Sequence, residues 1–219
     1  MRQSSKPDKT VRRILIVDDH SIVRSGIRLL LKERYSTLEV HEAKNGSTAF
    51  GQIIAQGYDL VVMDINMPNT DTFSLLQNIR AITPDLPIMI FTIMTEYAFA
   101  KRYLQSGVKG YVSKQAEDDE ILSAIHAILL GKQYIQHELL EQMVNDNHFH
   151  QELDPFGLLS NRELEIAYHL VRGKSVSHIA DALNIHTSTV GTHKARIFEK
   201  LKVDNVVVMK DLASYYRLI

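Results

Sequence analysis

Four short apolar runs, Ile14–Val17, Leu60–Met63, Ile88–Phe91 and Tyr111–Val112, each give way within two residues to a polar or charged side chain. Apolar runs of this length without alternation read as strands covered on both faces, as in a parallel sheet buried between helices. The polar residues beyond them are Asp18 with Asp19, Asp64, Thr92 and Lys114. In an open parallel sheet all of these fall at the carboxyl edge, where ligands bind. The pattern predicts an α/β fold of alternating strands and helices, with three carboxylates, a hydroxyl and an ammonium converging in one crevice.

Three carboxylates held close repel one another unless a hard cation joins them, and oxygen ligands with room for water suit Mg2+. Asp18 and Asp19 are the expected metal acids. A carboxylate set between a metal and a lysine can attack a phosphoryl group, because the two cations neutralise its equatorial oxygens. Asp64 is the expected nucleophile. The Thr92 hydroxyl and the Lys114 ammonium would then hold the phosphoryl oxygens. A haloacid dehalogenase-type hydrolase would place nucleophile and acid as D-x-D on one strand, whereas Asp18 and Asp19 are adjacent and Asp64 stands elsewhere.

The chain has 219 residues, 45% hydrophobic and 23% charged, enough for one or two compact soluble domains. No apolar run approaches the roughly 20 residues of a membrane span, and the polar start Met1–Thr10 lacks the apolar segment of a signal peptide. With no cysteine there are no disulfides or thiolate metal sites, which fits a cytoplasmic protein. From Leu158 onward there are nine Lys and Arg against six Asp and Glu, a charge of +3; the whole chain carries −1, so the remainder carries −4. The basic half is the candidate for a polyanionic partner.

Apolar Ile121, Leu122, Ile125, Ile128 and Leu129 recur at helical spacing before a stop at Gly131. A short helix is expected over Glu138–Val144, then a polar linker ending at Pro155. Ser160-Asn161-Arg162-Glu163 is a capping box opening a helix that ends at Gly173. A second helix over Val176–Leu183 and a third beginning at Thr187, joined by Asn184-Ile185-His186, have helix-turn-helix spacing. Val190, Ile197 and Leu201 take one side of the third helix, leaving Ser188, Gly191, Thr192, Ala195 and Arg196 on or beside the other, which could enter a major groove. Lys194 is better placed for phosphate than for a base.

The motifs ILIVDDH, VVMDINMP, IFT and GYVSK, in that order and spacing, resemble the receiver domain of bacterial two-component response regulators over Arg13–Gly131. That likeness implies a flavodoxin-like, doubly wound, five-stranded parallel sheet. It also implies Asp64 as acceptor from a sensor histidine kinase, Lys114 and Thr92 as its partners, Thr92 and Tyr111 as switch residues, and Mg2+ on Asp18, Asp19, Asp64 and the Asn66 backbone carbonyl. Tyr111 could equally be packing in a strand. The chain departs from the pattern at Ile93, where many receivers have a small residue, at Gln115, where proline is common, and in the glycine-free loop Asn69–Thr72.

The segment LLSNRELEIAYHLVRGKSVSHIADALNIHTSTVGTHKARIFEKLKV, Leu158–Val203, resembles the DNA-binding domain of LuxR-type regulators. At Gly191 and Ala195 relatives often present long or basic side chains, so Thr192 and Arg196 are left as the polar readers of double-stranded DNA. A last helix carrying Val206, Met209, Leu212, Ala213 and Tyr216 is apolar on more than one side and suits either packing or a homodimer formed on phosphorylation. The expected layout is a flexible segment 1–12, a receiver 13–133, a partly helical linker 134–157 and an all-α helix-turn-helix domain 158–219. The expected function is a non-enzymatic, phosphorylation-controlled transcriptional regulator. The alternative is a receiver acting through protein contacts, with the helical domain as an interaction module.

Overall fold

A computed structural model describes residues 12–68, 70–149, 154–216 and 218. Strand and helix alternate as β1 (Arg12–Val17), α1 (Ser21–Arg34), β2 (Leu38–Ala43), α2 (Gly46–Ala55), β3 (Leu60–Met63), α3 (Thr72–Ile82), β4 (Ile88–Thr92), α4 (Tyr97–Gln105), β5 (Gly110–Ser113) and α5 (Asp118–Leu129). They are followed by β6 (Tyr134–Ile135) and α6 (His137–Phe149). The sheet is parallel throughout in the order β2-β1-β3-β4-β5-β6, so it reverses direction of growth between β1 and β3.

Successive strand side chains point to opposite faces, which divides the core in two. Ile14, Ile16, Leu60, Val62, Met89 and Val112 pack with Ile27 and Leu31 of α1 and Ile121 and Ile125 of α5. Leu15, Val17, Val61, Met63, Ile88, Ile90 and Tyr111 face Ala49, Leu76, Ile79 and Phe99 from α2, α3 and α4. Each such large apolar side chain contributes roughly 1.5–3 kcal/mol on burial. The two-sided cover explains why the strands lack alternation in the sequence.

The sheet has a sixth strand beyond the five expected. Gly131, at φ +81, lets the chain leave α5 and return beside β5, where Gly110 pairs with Tyr134 and Tyr111 with Ile135. The polar stretch after Val144 is not all linker either, because α6 runs on to Phe149. Leu139 anchors this helix by burial in the same core as α4, a tertiary contact that local composition does not reveal. Of the expected flexible segment 1–12, residues 1–11 lie outside the described residues, and Arg12 already belongs to β1.

The second half opens with a 3-10 turn at Pro155–Leu158, then α7 (Asn161–Val171), α8 (Val176–Ala182), α9 (Thr187–Leu201) and α10 (Val206–Tyr215). The capping box forms: Ser160 Oγ accepts from the Glu163 amide at 3.3 Å, and Glu163 Oε2 accepts from the Ser160 amide at 2.7 Å. Gly173, at φ +76, ends α7, and the Ser175 side chain caps α8. Among the described residues no helix is long and apolar enough to cross a membrane.

Candidate functional site

Strand register brings the polar residues together. Val17 pairs with Met63 and Thr92 with Ser113, so Asp18, Asp64 and Lys114 each follow directly on a strand end that Thr92 shares. Backbone bonds continue past these ends: the Asp64 amide donates to the Val17 carbonyl at 2.9 Å, and the Lys114 amide to the Thr92 carbonyl at 2.8 Å. Asp18, Asp64 and Thr92 are buried. Lys114 Nζ lies 2.6 Å from Asp64 Oδ2 and 2.7 Å from Asp18 Oδ2.

One ammonium thus serves two buried acids, and a third, Asp19, lies beside them. Burial pushes the Asp64 carboxyl upward, and the neighbouring Asp18 charge adds to the rise. Lys114, through charge and hydrogen bond, and the amide of Asn66 pull it down without cancelling the effect. For Lys114 burial acts to lower the pKa, but the charges of Asp64 and Asp18 outweigh it and raise the ammonium above its ordinary value. The excess negative charge calls for a second cation.

The donor set fits one. Asp18, Asp19, Asp64 and His20 offer ligand atoms all within 4.8 Å of one another. Asp19 Oδ1 is buried without a hydrogen bond that satisfies it, the His20 Nδ1 beside it at 2.9 Å being the nearest partner, so it can serve a metal. Asn66 follows Asp64 on the same loop, its amide donating to Asp64 Oδ1 at 3.2 Å. Three carboxylates suit a hard cation such as Mg2+.

Thr92 and Tyr111 connect this pocket to the loop after β4. The Met94 amide donates to Thr92 Oγ1 at 3.2 Å, and the Tyr111 hydroxyl donates to the Met94 carbonyl at 2.5 Å. Tyr111 is fully buried beside Tyr103, so its ring already points inward without a phosphoryl group. Ile93 is exposed. Among the described residues every peptide bond is trans, that between Lys114 and Gln115 included.

In the second domain Val190, Ile197 and Leu201 of α9 are buried, and Ser188, Gly191, Thr192, Ala195 and Arg196 are exposed on the helix. Thr192 donates back to the Ser188 carbonyl at 3.0 Å, which leaves its oxygen lone pairs to face outward partners. Lys194 Nζ lies over the Phe198 ring at 5.4 Å, half-buried against the domain. In α10, Met209 and Ala213 are fully buried in the domain's own core and Val206, Leu212 and Tyr216 pack against it; the apolar side chains offered to solvent are Val207, Val208 and Tyr215.

A family model described as the response regulator receiver domain matches residues 14–126. One described as bacterial regulatory proteins, luxR family, matches residues 157–213. The chain belongs to the LuxR-family response regulators. Response regulator UvrY of Escherichia coli O6:H1 is 34% identical over 206 residues, 94% of each chain. Response regulator GacA of Pseudomonas viridiflava is 32% identical over 209 residues, 94% of this chain and 97% of that one. RcsB from Salmonella enterica serovar Typhimurium, solved bound to promoter rprA in the presence of phosphomimetic BeF3-, superposes with a TM-score of 0.63 at 26% identity, covering 93% of this chain and 98% of that one.

Residues that this response regulator's sequence did not single out join its two domains. Tyr168 of α7 and Arg172, which caps its end, both donate to Glu96 Oε1, the second at 3.0 Å, and Arg102 of α4 donates to Asn161 Oδ1 and the Phe156 carbonyl, each at 3.0 Å. No local period marks such pairs, since their partners lie more than fifty residues apart.

Proposed function

We propose that Asp64 accepts a phosphoryl group from a sensor histidine kinase and that its occupancy controls binding of double-stranded DNA by α9, regulating transcription in the cytoplasm. The observation that carries this is the cluster of Asp18, Asp19 and Asp64, two of whose acids share the ammonium of Lys114. A carboxylate oxygen of Asp64 attacks phosphorus in line, the donor's P–N bond breaks, and its electron pair returns to the donor imidazole. Lys114 neutralises the phosphoryl oxygens as negative charge develops. Asp18 and Asp19, with Asp64 and the Asn66 carbonyl, would hold Mg2+, which when bound supplies further charge neutralisation.

Thr92 Oγ1 accepts a bond from Met94 while its own proton is free to swing toward a phosphoryl oxygen on Asp64. Since Tyr111 is already inward, the moving part is Thr92 and the loop it holds rather than the tyrosine ring. The chain takes up one phosphoryl group on itself and turns over no external substrate. Arg196 and Thr192 are the proposed base readers, with Ser188, Gly191 and Ala195 admitting close approach and Lys194 near phosphate. A homodimer formed on phosphorylation, its second-domain contact carried by the exposed side of α10 at Val207, Val208 and Tyr215, would make the second half-site contact intramolecular. Titrating the full chain onto DNA fragments selected from the source genome, with and without Mg2+ and a small phosphodonor, tests the reading. Specific affinity should rise with the donor, and equal affinity in both states overturns it.

A further inference from the structure

The loop that carries two of the three acids is held from behind by one side chain. Arg24, one turn into α1, reaches back toward β1, where its Nη1 donates to the Asp18 carbonyl at 2.8 Å and to the Asp19 carbonyl at 3.2 Å. Its Nε donates to Glu42 Oε2 at 3.0 Å, and the other oxygen of Glu42 lies 3.3 Å from Arg28 Nε. Glu42 stands on β2 opposite Ile16, one residue before Ala43, whose carbonyl takes the Asp18 amide at 3.1 Å. Helix α1, strand β2 and the acid loop thus meet at a guanidinium whose side chain is only 15% exposed.

We infer that Arg24 is a positioning residue for the metal: it fixes the peptide planes of the acid loop, so that the Asp18 and Asp19 carboxylates are aimed before Mg2+ arrives. This rests on the phosphorylation reading above. The Asp18 and Asp19 carbonyls belong to successive peptide units, each of them planar. Two planes pinned to one nitrogen fix the backbone on either side of the Asp19 Cα, and with it the direction in which that side chain leaves. The helix start gives no such support, because His20 at the N-cap of α1 makes no side-chain cap bond. A free loop bearing two adjacent like charges turns them apart, and a cation must then bring them back. With the clamp in place that ordering is complete in the folded receiver, and binding keeps the affinity it would otherwise lose.

A second effect of the same side chain has the opposite sign. A guanidinium near the acids repels an incoming cation, so losing its charge alone would tighten Mg2+. Glu42, at 3.0 Å, offsets most of that charge at any distance well beyond the pair, which leaves geometry as the larger effect. Lysine separates the two, since it keeps the charge and loses the planar fork that serves both carbonyls and Glu42 together.

The test uses the full chain in three measurements: calorimetric titration with Mg2+, phosphoryl transfer from a small phosphodonor over a range of Mg2+ concentrations, and amide hydrogen exchange without metal. Arg24→Lys should weaken Mg2+ about tenfold, the lower end of the loss expected when a supporting partner of a metal ligand is removed. Transfer should need correspondingly more Mg2+ for its half-maximal rate and reach the wild-type rate at saturation. Without metal, the His20 amide, which donates to Asp18 Oδ1 at 2.8 Å, should exchange faster while the amides of β3 and β4 keep their wild-type protection. Glu42→Gln, which keeps an acceptor for Nε, should weaken Mg2+ by a smaller factor. Wild-type Mg2+ affinity and His20 exchange in Arg24→Lys overturn the clamp, and so does faster exchange throughout the sheet, which makes Arg24 a residue of general stability. A loss in Glu42→Gln as large as that in Arg24→Lys overturns it too, by making charge the cause. A wild type that binds Mg2+ but takes up no phosphoryl group overturns the proposed function instead, and the Mg2+ and exchange comparisons still decide the clamp.

Discussion

Two buried acids each hold a lysine: Asp64 with Lys114 at 2.6 Å, and Glu163 with Lys200 at 2.7 Å. Their environments push them in opposite directions. Burial raises Glu163, yet the bond from Lys200, then the Ser160 amide and hydroxyl, outweigh it and leave its carboxyl below the ordinary range. Asp64 has Lys114 too, but shares it with Asp18, and burial wins. One acid takes the Lys200 ammonium and the Ser160 amide on the same oxygen and fastens α7 to α9. The other lies in a pocket with more negative charge than its cation can balance, which is what an acceptor awaiting a metal and a phosphoryl group requires.

Removing the acceptor gives the largest effect. Asp64→Asn should abolish uptake of one acid-labile phosphoryl group from a small phosphodonor with Mg2+, measured by intact mass, since an amide is no nucleophile there. It should not unfold the receiver, because Lys114 keeps Asp18 and a buried charge is lost. Labelling of the variant at the wild-type level would move the acceptor elsewhere.

Next in size is the metal. Losing even a supporting partner of a metal ligand costs about 10- to 100-fold in affinity, so Asp19→Ala, which deletes a ligand, should weaken Mg2+ by at least that much and slow phosphoryl transfer. Calorimetric titration with Mg2+ reads it. Wild-type affinity and rate together would take Asp19 out of the metal shell and leave the pocket's charge excess to be met some other way.

The same contrast governs what the sequence disclosed. Polar residues beyond apolar runs are costly to place unless they work together, so Asp18, Asp64, Thr92 and Lys114 stood out before any fold was known. The capping box of Ser160 and Glu163 is a local signal at fixed spacing and was equally plain. The two-residue β6 is too short to carry a pattern, and the extension of α6 to Phe149 ran through residues that composition assigned to linker. On α10, apolar residues on several sides left the inward set open, and Met209 and Ala213 proved to be core. Glu96 and Arg102 carried no signal, because the partners that give them meaning lie in the other domain.

On the reading helix the expected effect is moderate. Arg196→Ala should weaken specific binding by about 1–3 kcal/mol and relax preference at one position per half-site if the side chain reads a base. Equal loss on all sequences makes it a phosphate contact. Because the exposed face of α9 offers few cations, the salt dependence of full-chain binding should be shallow, a slope that titration at several salt concentrations measures. A steep slope would mean that cations outside this face do most of the binding.

The smallest effects test Glu163. Ser160→Ala removes one half of the capping box and should cost about 1 kcal/mol, read as a lower Tm. The pH dependence separates the two carboxylates by sign. Glu163 has a folded-state value below the ordinary one, so its stabilisation is complete above the ordinary carboxylate range, near 4, and disappears as pH falls through its lowered value. Asp64, raised instead, favours the proton in the folded chain, so its charge opposes folding at neutral pH and that opposition fades on acidification. Glu163→Gln should therefore melt below wild type at neutral pH, by a margin that narrows as the solution is acidified. Asp64→Asn should melt at or above wild type at neutral pH, with its advantage narrowing from the other side. If both variants melt below wild type by margins with the same pH course, the two lysine-paired acids are alike, and the charge excess at the sheet edge is not what distinguishes Asp64.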